Sequence, residues 1–121
     1  MTSVDCDFSA IEGTSCYCSE EAAAKIRNAL LSVPLEAIHK IGTGDYHYVT
    51  LFMLEKISEP FSFVLFDNHP DDQEGEFGSE LLSCGSWVRE ARRLPLLKDC
   101  RWIVRTADFS RLEALPGSLP V

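Results

Sequence analysis

No apolar run in the chain approaches the ~20 residues needed to cross a bilayer as a helix. Basic residues are also scarce: 11 lysines and arginines stand against 19 aspartates and glutamates, a formal charge of −8. That balance argues against nucleic acid or an anionic membrane as a partner, because neither is attracted to such a surface. The local exception, Arg89, Arg92, Arg93, Lys98, Arg101 and Arg105, reads as a solvated face. Paired cysteine motifs are missing too. Cys6, Cys16, Cys18, Cys84 and Cys100 are odd in number and irregularly spaced, so neither a disulfide framework nor a Cys-x-x-Cys zinc pattern emerges. Reduced thiols are the expectation. Residues 1–5 show neither the basic stretch nor the apolar core of a secretory signal, so the expected location is cytoplasmic.

What is present suits one globular domain. A chain of 121 residues can bury roughly two-thirds of its unfolded surface. Ser19 reads as the N-cap of a helix over 20–32, with Glu20 and Glu21 placed to favour its dipole and Val33-Pro34 to end it. Residues 35–41 read as a short strand closed by Gly42-Thr43-Gly44. A helix is expected over 45–57, striped by Tyr46, Val49, Met53 and Ile57. The run 61–66 (Phe-Ser-Phe-Val-Leu-Phe) reads as a buried strand. A helix over 79–94, interrupted near Gly85, and a strand over 100–104 follow, with a helical turn near Phe109, Leu112 and Leu115 in the tail. This alternation predicts an α/β fold in which helices cover both sides of a mainly parallel sheet, a three-layer helix–sheet–helix sandwich.

The chemistry gathers where the 61–66 strand ends. Ligand sites in open α/β sheets lie beyond the carboxyl ends of strands. Asp67-Asn68-His69-Pro70-Asp71 falls there, and alternate side chains of an extended segment project to one side. Two carboxylates and an imidazole suit a divalent ion such as Mn²⁺ better than a thiolate-held zinc. The other reading of the segment is a solvated acidic turn. Gly42-Thr43-Gly44-Asp45-Tyr46-His47 is a second candidate: it could cradle a phosphate, although it lacks a Walker-type lysine, or it could supply His47 as a ligand with Asp45 in support. His39, Trp87 and Trp102 read as structural.

Taken in order, Gly44-Asp45-Tyr46-His47 and Asp67-Asn68-His69-Pro70-Asp71 resemble the paired metal motifs of the arginase/agmatinase (ureohydrolase) superfamily. Leu81-Leu82-Ser83-Cys84-Gly85-Ser86-Trp87-Val88 is similar to a segment of an uncharacterised bacterial arginase-family branch. The resemblance spans roughly residues 11–105. It implies an arginase-like fold in which Asp67 bridges two Mn²⁺ ions, His47 and Asp71 complete one ion's shell, and His69 binds the other. It implies metal-assisted hydrolysis of a C–N bond in a guanidino compound. Cys84-Gly85 stands where many arginases have a catalytic His-Gly, so Cys84 and Asp45 become supporting or substrate-side candidates. No Asp-x-Asp pair follows Cys100, whereas the family uses one for its second ion. The resemblance therefore implies the N-terminal portion of a longer fold, weakly active or inactive on its own. Two other readings stand beside it. One is a non-enzymatic α/β binding or self-assembly module, able to form a homo-oligomer through an unpaired strand edge. The other is a phosphoesterase using the same ligands.

Overall fold

The computed structural model describes residues 3–73, 81–104 and 119–120. Two expected elements fall where the sequence places them, although the strand expected to be buried is covered on one face only, leaving Val64 and Phe66 exposed. Helix α1, Glu20–Leu30, is capped by the Ser19 hydroxyl, which accepts the Ala22 N–H at 3.1 Å. Ala22, Ala23, Ile26 and Leu30 form its buried stripe. The Lys56 ammonium donates to the carbonyls of Leu30, at the end of the helix, and of Val33 beyond it. Strand β2, Phe61–Phe66, lies parallel to strand β4, Leu97–Val104.

Strand β4 begins three residues before the apolar run that announced it. Its register against β2 shifts between Phe61 and Ser62, which pair with Leu97 and Asp99. Lys98 is left over, and this one-residue slip lets Leu97 point inward with Cys100, Trp102 and Val104. β4 also pairs in parallel with β5, Leu119–Pro120, giving the order β2-β4-β5. Between β2 and β4 the chain forms β3, Leu82–Ser83, and helix α3, Trp87–Ala91. β3 pairs antiparallel with β1, Tyr17–Cys18, in a separate two-stranded ladder.

Three expected elements are revised. Residues 35–41 are not a strand. Leu35 and Ile38 are exposed, the Ala37 N–H bonds back to Leu35, and the His39 ring bonds the Pro34 carbonyl, so the segment folds on itself. The helix expected over 45–57 is split into a 3₁₀ turn, Gly44–Tyr46, and helix α2, Val49–Leu54. Its buried side centres on Tyr48, Val49, Leu51, Phe52 and Met53 rather than on Tyr46 and Ile57. Over 81–94, a short strand, a turn and α3 replace one long helix. Here the Ser86 hydroxyl accepts the Ser83 N–H and the Ser83 hydroxyl accepts the Gly85 N–H, in competition with helical bonds. Ser79 and the tail turn near Phe109 lie outside the described residues.

The result is a mixed α/β architecture around a small parallel sheet. α1, α2 and α3 share one core with Leu65, Cys100, Trp102 and Val104 of the sheet. The opposite sheet face presents Ser62, Val64, Phe66 and Arg101 outward. No helix among the described residues is long and apolar enough to cross a membrane.

Trp102 anchors the strand end that matters most. Fully buried, it donates its indole N–H to the Asp67 carbonyl at 2.8 Å, and the Asp67 N–H extends the ladder to Ile103. Replacing Trp102 with alanine should remove that bond and open a cavity, at a cost of about 3–5 kcal/mol. Urea denaturation measures the loss, and a cost below about 1 kcal/mol would contradict this account of the core.

Candidate metal centre

Three segments converge beyond the carboxyl end of β2. The first is the 3₁₀ turn, which carries His47 as its C-terminal cap. It is held by the Cys16 N–H, which donates to the Asp45 carbonyl at 3.0 Å, and by the Tyr48 hydroxyl bonded to the Thr14 carbonyl. The predicted strand before this turn is absent, so tethering to residues 14–16 brings His47 to the site. The second segment is the loop after Phe66. The third is the N-terminus of α3.

The loop does not run extended as its spacing suggested. The Asp67 carboxylate turns back to accept the His69 N–H at 3.1 Å, a local turn typical of aspartate. Asp71 then adopts a left-handed backbone conformation, with φ of 51°. Alternation is lost, and with it the expected convergence of Asp67, His69 and Asp71. Instead, the described residues bring together His47, Asp67 and Asp71, with a ligand atom from each within 4.8 Å of the others. His47 Nδ1 lies 3.1 Å from Asp71 Oδ2 and 3.4 Å from Asp67 Oδ2. The His69 ring is largely exposed, its Nδ1 3.8 Å from the other oxygen of Asp67.

Asp71 is the buried member, with its side chain 8% exposed. Two bonds from α3 hold it: the Trp87 indole N–H reaches Oδ2 at 2.8 Å, and the Val88 N–H reaches the Asp71 carbonyl at 2.9 Å. The His47 ring packs on Trp87, with ring centroids 4.8 Å apart. Trp87 was expected to be core, and it is. Its second role was missed, although a buried indole N–H that needs an acceptor gave a usable signal.

The electrostatics follow from this crowding. Hydrogen bonding to Asp71, reinforced by the charges of Asp71 and Asp67, raises the His47 pKa against the opposing effect of burial. Burial raises the Asp67 pKa, and the neighbouring Asp71 adds to the rise. Even with His47 protonated, two carboxylates and one imidazolium carry a net negative charge. That excess, in a carboxylate and imidazole donor set, could hold a divalent cation. The indole bond orients the Asp71 carboxylate, as outer groups orient ligands in metal sites.

The two supporting candidates lie beside this cluster. Asp45 is exposed and contributes its carbonyl to the Cys16 N–H. The Cys84 thiol stands 2.9 Å from that of Cys16. Burial pushes the Cys84 thiol up to about 12, helped by its bond to Cys16 and by the charges of Asp71 and Asp45.

No family model matches the chain, and no solved structure matches it. It is similar to an uncharacterised protein of Thermotoga maritima, 39% identical over 84 residues. The match takes in 69% of this chain and 32% of that protein, so the chain spans about a third of the relative's length.

If Trp87 fixes Asp71 as described, Trp87→Phe should cost about 1.5–3 kcal/mol, the range for a hydrogen bond to a charged group. Chemical denaturation at pH 7 of the metal-free chain reads this directly. An unchanged midpoint would show that the indole bond contributes nothing.

Proposed function

We propose that this chain carries half of a two-metal hydrolase centre of the ureohydrolase kind, cleaving a C–N bond of a guanidino-type small molecule. The supporting observation is the convergence of His47, Asp67 and Asp71 into one negatively charged donor set beyond a parallel strand. A bound Mn²⁺ supplies hydroxide near neutral pH by lowering the pKa of its water. His47, Asp67 and Asp71 would hold it, and Trp87 fixes the Asp71 carboxylate. His69, near the outer oxygen of Asp67, is the ligand this reading gives a second ion. Cys84 and Asp45 stand on the substrate side.

The sequence supplies no Asp-x-Asp pair after Cys100. Carboxylates of that kind confine the second ion's charge, so turnover of arginine or agmatine by these 121 residues should be weak or absent. The finer architecture belongs to the same proposal. A second helical layer would cover the sheet face on which Val64 and Phe66 are exposed, completing a three-layer arginase-like sandwich. A cytoplasmic location accompanies this reading.

Calorimetric titration of the chelator-treated chain with Mn²⁺ tests the site. Saturable binding is expected, weakened at least tenfold by Asp67→Ala or His47→Ala and much less by His69→Ala. Binding should tighten from pH 5.5 to 8. The raised pKa of His47 keeps a proton on its ring that the ion must displace, and acid therefore opposes binding. Equal affinity in wild type and variants would remove the metal reading, and arginine or agmatine turnover at rates typical of enzymes would remove the prediction of weak activity.

One observation favours a second, non-enzymatic reading. Phe66 is 74% exposed and Val64 51% on β2, which lies at the end of the strand order, so the chain could act as a self-assembly module. Light scattering across a concentration series should then show a homo-oligomer that Phe66→Lys dissociates. A monomer at all concentrations would exclude this reading.

A further inference from the structure

Cys16 and Cys84 lie 68 positions apart in sequence, yet their sulfurs are 2.9 Å apart, closer than ordinary contact between unbonded sulfur atoms. The backbone causes the approach. β1 and β3 pair Tyr17 with Ser83 and Cys18 with Leu82, so the next position of that antiparallel register sets Cys16 opposite Cys84. The Cys84 N–H donates to the Cys16 carbonyl at 2.8 Å, continuing the ladder. Cys16 itself is left-handed, with φ of 64°, so the regular ladder ends there and the sulfur contact is what brings the two side chains within reach of each other. Cys16 is also fixed on its other side, its N–H bonded to the Asp45 carbonyl. Both cysteines are partly exposed, so a small reagent can reach them. The remaining thiols differ: Cys18 and Cys100 are buried, and Cys6 is exposed on the N-terminal segment.

We propose that Cys16 and Cys84 are a vicinal dithiol that closes to a reversible disulfide by exchange with a low-molecular-weight disulfide of the glutathione class. One thiolate attacks a sulfur of the reagent, expelling one reduced thiol and leaving a mixed disulfide. The second cysteine attacks the protein sulfur of that mixed disulfide and expels the other reduced thiol. The protein loses two electrons and two protons, the reagent gains both, and one S–S bond replaces another. The second step is intramolecular between sulfurs already in contact, so closure outcompetes accumulation of the mixed disulfide. This modification site is independent of the metal reading and requires no ion. Its position does matter for the neighbouring cluster. The bond would join the segment holding the His47 turn to the turn before α3, whose Gly85 carbonyl accepts the Gln73 N–H two residues after Asp71.

The full chain, equilibrated in oxidised glutathione, alkylated and digested without reduction, provides the test. Peptide mass mapping should show a Cys16–Cys84 cross-link lighter by two hydrogens than the reduced peptides. Dithiothreitol should restore both thiols. In Cys84→Ser, Cys16 should instead stop as its glutathione adduct. The proposal is overturned if both cysteines stay alkylatable in oxidised glutathione, if wild type stops at the adduct, or if the bond joins other cysteines. Should Cys84→Ser fail to fold, the wild-type peptide map decides alone.

Discussion

The hydrogen bond from the Trp87 indole to the Asp71 carboxylate connects the core of this protein to its surface chemistry. Trp87 is almost fully buried at the start of α3, where its N–H could not be left without an acceptor. Asp71 supplies one at 2.8 Å, and the Val88 N–H takes the Asp71 carbonyl, so both ends of the residue are tied to one helix. With Asp71 fixed, His47 has a carboxylate to face and a ring to pack against. Asp67 is set independently by the Trp102 bond to its carbonyl. Two tryptophans thus position two aspartates, and the cluster between them takes its geometry from the hydrophobic core.

A site built this way is costly without an occupant. Burial and the nearby Asp71 oppose ionisation of Asp67 and raise its pKa, while the same carboxylates raise the pKa of His47 by favouring its imidazolium. Perturbed groups of this kind cluster at functional sites, and structural ion-pair networks produce them as well. The His47 imidazolium relieves part of the repulsion in the free chain, and a divalent ion would relieve more.

Local signals in the sequence carried the elements whose causes are local. Ser19 with Glu20 and Glu21 marked α1, and the run from Phe61 to Phe66 marked β2. The start of β4 was hidden because Lys98 and Asp99 interrupt the apolar run, while pairing with β2 still extends the strand to Leu97. Residues 35–41 show the converse: a plausible strand pattern pairs with no strand among the described residues and folds back on itself instead. Among the site residues, His47, Asp67 and Asp71 could be read from motif and order. Only the convergence of His69 with Asp67 and Asp71 on one point assumed an extended loop, and the turn at Asp67 with the left-handed Asp71 removed that assumption. The approach of Cys16 to Cys84 could not be read at all, since it depends on how two short strands meet across 68 positions.

The left-handed backbone at Asp71 also limits how this position can vary. Asparagine and glycine tolerate that conformation, but both remove the negative charge. Glutamate keeps the charge, but it lacks aspartate's local backbone bonding and reaches one carbon further. No conservative exchange exists there: any drift that spares the loop discharges the cluster, and any that spares the charge deforms the loop.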